Sequence, residues 1–192
     1  MHKSFIKVLA LLFSICFIFV LSSCAKGPSL DDVKARCEEL ILASQELQEI
    51  INGAGLPVND QYFTGGDYWY VRTDVSEYDS IAEITAAIDA VYEESYARNI
   101  KEILFVGYND AIGSLMPRFT EGDYGDLMQY KFTGELPEKT AFDFSAMTMK
   151  KSRPDSFTVS VPATFDGKTE NMEITFSYDT NSGVWLLNSP IY

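Results

Sequence analysis

Histidine is the scarcest residue of this chain: its 192 positions hold one, His2. From residue 3 onward no imidazole is available. That excludes a Ser-His-Asp or Cys-His nucleophile, a histidine general base and a histidine-ligated catalytic zinc. Cysteine is nearly as sparse, with three residues, Cys16, Cys24 and Cys37. Basic residues are few, 15 against 28 acidic, for a formal charge of −13. A field of that sign disfavours nucleic acid and anionic wall polymers, favours cationic partners, and also keeps a surface protein soluble. Long apolar runs are missing after residue 20. The one such run, Val8 to Val20, is shorter than the ~20 residues a helix needs to cross a bilayer.

What is present begins with that run. Lys3 and Lys7 precede it, and Leu21-Ser22-Ser23-Cys24 and the polar Ala25-Lys26-Gly27-Pro28 follow it. These are the charged, apolar and cleavage regions of a secretory signal, in order. Leu21-Ser22-Ser23-Cys24 resembles a bacterial lipobox. The resemblance implies cleavage before Cys24, acyl chains such as palmitate on that cysteine, and a mature protein held on the extracytoplasmic face of the cell membrane. Two or three chains would anchor stably, because each buried methylene contributes ~0.8 kcal/mol and a single chain is marginal.

On this reading residues 1–23 are the signal peptide and 24–28 a short lipidated tether. Removing 23 of the 192 residues leaves 169, enough for one domain with its own core. His2 and Cys16 leave with the signal, as do Lys3 and Lys7, so 13 basic residues face 28 acidic ones and the mature charge is −15. With Cys24 lipidated, Cys37 remains alone, no intrachain disulfide can form, and Cys37 reads as a small apolar residue on a helix.

Ser29 with Asp32 forms a capping-box pattern and opens a helix. Val33, Cys37, Leu40, Ser44, Leu47 and Ile51 recur at spacings of four and three, widened by Leu30, Ile41 and Ile50, until Asn52-Gly53 stops the pattern. This N-terminal helix, 29–53, either docks on the rest of the protein or serves as a short stalk. Residues 54–192 form the remaining α+β domain. Tyr62-Phe63, a turn at Gly65-Gly66 and Tyr68-Trp69-Tyr70-Val71-Arg72 read as strands. The period of two places Trp69 and Val71 on a buried face and Tyr68, Tyr70 and Arg72 on the other. That second face is either sheet covered by a helix or a contact patch.

Ser80 with Glu83 opens a second helix bearing Ile81, Ile84, Ile88, Val91 and Tyr92. The helical pattern continues through a break near Ser95 to Tyr96, Ile100 and Ile103-Leu104, and Gly107 to Gly113 reads as a loop. From Leu115 the signal turns to strands. Met128, Tyr130 and Phe132 alternate with Gln129 and Lys131, and the shift in phase from Phe142 and Phe144 to Met147 and Met149 means that an unbroken strand there would need a β-bulge near Ser145-Ala146. Phe157, Val159 and Val161, then Met172, Ile174, Phe176 and Tyr178, alternate as neighbours in an antiparallel meander that ends on Val184-Trp185-Leu186-Leu187. Its turns are Asp166-Gly167 and Asn181-Ser182-Gly183. Pro162 predicts a strand end or an edge strand there, and Trp185 and Phe176 are expected to be largely buried.

Tyr78-Asp79-Ser80, Pro117-Arg118-Phe119 and the closing Gly183-Val184-Trp185-Leu186-Leu187-Asn188-Ser189-Pro190 give residues 62–192 a resemblance to small Gram-positive lipoproteins and secreted proteins. Within these, the pattern is closest to the D,L-endopeptidase inhibitors of cell-wall hydrolases. The resemblance implies a cystatin-like or NTF2-like cone, with helices packed on a curved antiparallel sheet, and a non-catalytic inhibitor. The long first helix and the Tyr68-Trp69-Tyr70 run depart from the family's pattern, and no functional residue carries over.

Other motifs are weak. Gly167-Lys168-Thr169 ends like a phosphate-binding loop but lies between strands, with Pro162 where that loop needs its first glycine. Asp179, Asn181 and Gly183 resemble part of a calcium loop whose acidic closing position falls on Pro190. No Ser-x-x-Lys or Gly-x-Ser-x-Gly follows Cys24. Asp110, Glu121, Asp123 and Asp126 are carboxylates near one another in sequence, but glycosidase chemistry needs a pair about 5–9 Å apart across a cleft. No cofactor or metal is expected.

The function expected is that of an anchored lipoprotein that binds a protein, with a basic cell-wall hydrolase as the partner that the resemblance implies. Cys24 would carry the lipid, and Tyr68, Tyr70, Arg72, Glu121, Asp123 and Asp126 are the candidate contact residues. The alternative is a small-ligand pocket or a carboxylate enzyme of the cell envelope. A filled core with an exposed aromatic patch favours the first, and a large apolar cavity with convergent carboxylates the second.

Overall fold

A computed structural model describes residues 26–63, 67–109, 115–130 and 139–189. The signal segment with Cys24, Gly65-Gly66, Asp110, Lys131, Phe132 and Pro190 lie outside the described residues.

Helix α1 (Leu30–Ile51) begins where the capping pattern predicts. The Asp32 carboxylate accepts from the Ser29 amide at 3.0 Å and the Ser29 hydroxyl at 2.5 Å, which holds its pKa below the usual carboxylate range. The predicted stripe is buried at Val33, Cys37, Leu40, Ile41, Ser44, Leu47 and Ile50, and Ile50 takes the closing position expected of Ile51. Each buried Leu or Ile contributes about 1.5–3 kcal/mol. That stripe belongs to the same core as the residues after position 54, so the helix is docked and is not a stalk. No helix among the described residues is long and apolar enough to cross a membrane.

Burial pushes the Cys37 thiol up to about 12. A maleimide should therefore leave Cys37 unmodified in the folded protein at neutral pH and label it fully in urea, because the thiolate is the reacting species. Rapid labelling without denaturant would show that α1 comes away from the domain.

Helix α2 (Ile81–Val91) is capped by Ser80, whose hydroxyl accepts from the Glu83 amide, and it buries Ile84, Ile88 and Val91. The break expected near Ser95 falls earlier, at Tyr92-Glu93, before α3 (Glu94–Lys101) and a π-helical turn (Glu102–Val106). Tyr92 adopts an extended backbone, and the Glu93 amide donates to the Leu187 carbonyl at 2.8 Å. The fully buried Tyr92 hydroxyl meets Ser44 of α1 at 2.7 Å. The hydrogen bond satisfies both buried hydroxyls, which would otherwise be costly to bury.

Two antiparallel sheets complete an α+β half-barrel. In the first, β1 (Val58–Phe63), β2 (Tyr68–Val71), β6 (Leu127–Tyr130) and β5 (Phe119–Glu121) lie in that order. A short pair, β3 (Tyr108–Asn109) and β4 (Leu115–Met116), occupies part of the region expected to be loop. In the second, β11 (Val184–Leu187), β10 (Lys168–Asp179) and β9 (Ser156–Phe165) form the predicted meander. Both β7 (Ala141–Phe142) and β8 (Thr148–Ser152) pair with the other side of β9. Asp166 and Gly167 take φ of 49° and 67°, the positive values that a two-residue type I′ hairpin requires.

Two expectations are corrected, for Pro162 and for the tryptophans, and two points that the sequence left open are settled. Pro162 lies inside β9, with neighbours on both sides, and neither ends the strand nor marks an edge. Its carbonyl accepts from Asp143 on the β7 side. Its nitrogen points the same way, into the gap between β7 and β8, where no ladder bond is lost. That gap is a 3-10 turn at Phe144–Ala146, which accomplishes the change of phase assigned to a bulge. In β6 the buried phase is Leu127 and Gln129, while Met128 and Tyr130 are half-buried. Trp185, like Trp69, is half-buried; it packs edge-on to Phe157 at 4.7 Å and to Tyr178 at 5.1 Å.

Candidate functional site

Of the candidate contact residues, Tyr68, Tyr70 and Arg72 share the outer phase of the first sheet, and Asp123 and Asp126 lie at its end turn. Cross-strand pairing sets Tyr68 opposite Tyr130 and Tyr70 opposite Met128, so all four share one face. The Tyr68 and Tyr130 rings meet edge to face, with centroids 5.6 Å apart. Burial, followed by Tyr130 and Asp67, raises the Tyr68 phenol above its ordinary pKa, and its hydroxyl donates to the Pro117 carbonyl at 2.7 Å. Tyr68 is therefore committed to holding the sheet. Tyr70 is half-buried and borders two adjoining depressions.

One depression, about 520 Å³, is lined by Val58, Asn59, Arg72 and Asp74 beside Tyr70. Arg72 grips Asp74 with two hydrogen bonds, at 2.9 and 3.3 Å, and that contact holds the Asp74 carboxyl below its usual pKa range. The other, about 270 Å³, reaches Asp126 and Leu127. Tyr70, Arg72 and Asp126 are thus brought to one end of the sheet. Glu121 stands opposite Leu127, in the phase opposite to the tyrosine row, and is not brought to it. Asp123 lies in the β5–β6 turn, closed by Gly122 N–H to Asp126 O and Gly125 N–H to Gly122 O, each 2.9 Å.

At the tip of that turn Tyr124 is 94% exposed. Periodicity does not single it out, because an aromatic between Asp123 and Gly125 belongs to no periodic pattern. Its position inside a turn rather than a strand was the available signal.

The Pro117-Arg118-Phe119 segment is structural. Arg118 donates to the Tyr130 carbonyl at 2.7 Å and the Gly53 carbonyl at 3.0 Å, and Phe119 is fully buried. A larger depression, about 580 Å³, carries Asp89, Glu93, Glu94, Lys101 and Asp179. Its charges are engaged locally: Lys101 with Asp89 at 2.6 Å, Glu93 with Ser95, and Asp179 with Asn181 and Ser182. Asp179 is thereby a turn cap, with its pKa lowered chiefly by the Ser182 hydroxyl. Among the described residues, no group of three His, Cys, Asp or Glu side chains could hold a metal ion.

No protein-family model matches the chain, and no curated protein matches it in sequence.

Proposed function

We propose that this protein is a non-catalytic lipoprotein, anchored through Cys24 on the extracytoplasmic face of the membrane, that binds a basic protein of the cell envelope. The finer reading, which draws on the resemblance of residues 62–192, is inhibition of a D,L-endopeptidase within a cystatin-like or NTF2-like fold. The observation that carries the binding role is Tyr124, 94% exposed on a turn flanked by Asp123 and Asp126. Tyrosine supplies a large amphipathic contact with few rotatable bonds, and the formal charge, −15 without residues 1–23, attracts a cationic partner. Carboxylates with shifted pKa among the described residues, Asp32, Asp74, Asp143 and Asp179, all move down. That direction follows from hydrogen bonds given by Ser29, Arg72, Ser145 and Ser182 and suits turn caps and an ion pair.

The test is inhibition of purified basic wall hydrolases from the same cell by the detergent-solubilised lipidated chain. Inhibition should weaken as salt shortens the Debye length from ~10 Å at 0.1 M to ~3 Å at 1 M. Tyr124→Ala should weaken it about 30-fold, as truncation of an interface hot spot costs ~2 kcal/mol or more. Asp123→Asn with Asp126→Asn should weaken it further at low salt only. Turnover of wall fragments by the protein alone, lost on a single carboxylate substitution, would establish the enzyme instead.

A further inference from the structure

Gly27 and Pro28 lie against one end of the second sheet. A Cβ on Gly27 would stand 2.2 Å from Ser152 Oγ and 2.4 Å from the Arg153 backbone nitrogen, so only glycine fits without moving the chain. Ser152 Oγ donates to the Pro28 carbonyl at 2.7 Å. The next residue, Ser29, caps the docked helix α1. The start of the described chain is therefore fixed beside the β8–β9 turn. Lys26 is exposed there, and the two residue steps from Lys26 back to Cys24 span at most ~7 Å. A lipid on Cys24 enters the bilayer close to this turn.

Lys150, Lys151 and Arg153 stand exposed in the same place. Met149 pairs with Val159 and Lys151 with Thr158, which leaves Lys150 as an extra residue without a cross-strand partner. Ion pairs among the described residues are Arg36–Glu39, Arg72–Asp74, Arg98–Glu94 and Lys101–Asp89. None engages Lys26, Lys150, Lys151 or Arg153. Carboxylates near this end in sequence or across the ladder include Asp31, which is exposed, and Asp32, Asp155 and Asp179. Asp32 and Asp179 are turned into helix and turn caps, and Asp155 accepts from Ser156 at 3.1 Å. In a chain that carries −15 without residues 1–23, three cations within four residues that form no ion pair among the described residues make a local positive patch that suits an anionic surface.

We propose that the β8–β9 end of the second sheet is the membrane-facing side of the domain, with Lys26, Lys150, Lys151 and Arg153 seated over anionic lipid headgroups. The inference rests on the lipid at Cys24. It sets the orientation of everything else: β9 runs ten residues from this end, so the Asp166-Gly167 hairpin stands roughly 30 Å away along the strand.

The test uses the lipidated full chain in vesicles of phosphatidylglycerol and phosphatidylcholine doped with headgroup-nitroxide lipid. A fluorophore is placed on Pro154→Cys or on Lys168→Cys, Cys37 being buried. Quenching at position 154 should exceed that at 168 at least twofold. The difference should disappear on combining Lys150→Glu, Lys151→Glu and Arg153→Glu, and shrink in pure phosphatidylcholine, while intact mass still shows the acyl chains. Equal quenching at 154 and 168 in lipid-bearing protein would overturn the orientation. A difference indifferent to charge reversal and to phosphatidylglycerol would overturn the headgroup contact. An intact mass without lipid on Cys24 would bring down the anchor itself, and this inference with it.

Discussion

Phe176→Ala should lower the unfolding free energy by about 3–5 kcal/mol in urea denaturation, the range for aromatic truncation in a core. Phe176 has no exposed surface and pairs across the ladder with Phe157 on one side and Leu187 on the other. Its ring stacks on Phe157 with centroids 4.8 Å apart and an interplanar angle of 16°. Strands on both sides hold the backbone, so the surroundings cannot collapse into the cavity. Domains of this size are stable by only about 5–15 kcal/mol, and the variant should approach unfolding at physiological temperature. Trp185→Ala should cost clearly less, because Trp185 lies at the rim of the same cluster and is half-buried. Equal losses at the two sites, or a loss at Phe176 below ~1 kcal/mol, would place the centre of the core elsewhere.

The second large effect is expected at Gly55, in the passage from α1 to β1. Gly55 has φ of +81°, and a Cβ there would lie 2.2 Å from Gln129 Oε1. That same oxygen accepts the buried Leu56 N–H at 2.7 Å, and the Gln129 amide nitrogen donates to the Ala54 carbonyl at 3.4 Å. Gly55→Ala combines a left-handed alanine, ~1–2 kcal/mol, with loss of the hydrogen bond to a buried amide, ~1–3 kcal/mol. About 3 kcal/mol is expected in total. Gln129→Ala alone should cost ~1–3 kcal/mol by leaving Leu56 N–H without its partner. The double variant should cost less than the two single losses together, because once the glutamine is gone nothing remains for the new methyl to displace. Strict additivity would mean that the two residues do not meet.

The outcomes in β6 and β9 have a common origin. In β6, hydropathy favours burying Met128 and Tyr130. The structure buries Gln129 because a loop 73 residues earlier presents a backbone N–H that needs an acceptor. In β9, Pro162 looks like a terminator only if its neighbours are unknown. It is tolerated because β7 and β8 leave a gap where its missing donor would point. Both outcomes depend on groups brought from distant parts of the chain, and periodicity carries no such term.

The candidate face divides in the same way. Tyr70 and Arg72 were legible from alternation, and the acidity of the Glu121–Asp126 stretch from composition. Their arrangement was not, because Glu121 and Asp126 fall on opposite phases once the turn between them is set.

The sequence by itself determined the starts of α1 and α2, through Ser29 with Asp32 and Ser80 with Glu83, and the order, phase and turns of the β9–β10–β11 meander. Side-chain caps, a period of two and residues tolerant of positive φ act within a few positions and need no distant partner. Only the tertiary structure decided that α1 docks, since an amphipathic stripe specifies that a face must be covered and not by what. The same holds for Tyr68, whose hydroxyl is committed to Pro117, and for Tyr124, left exposed at a turn tip, because burial follows from where the other elements pack.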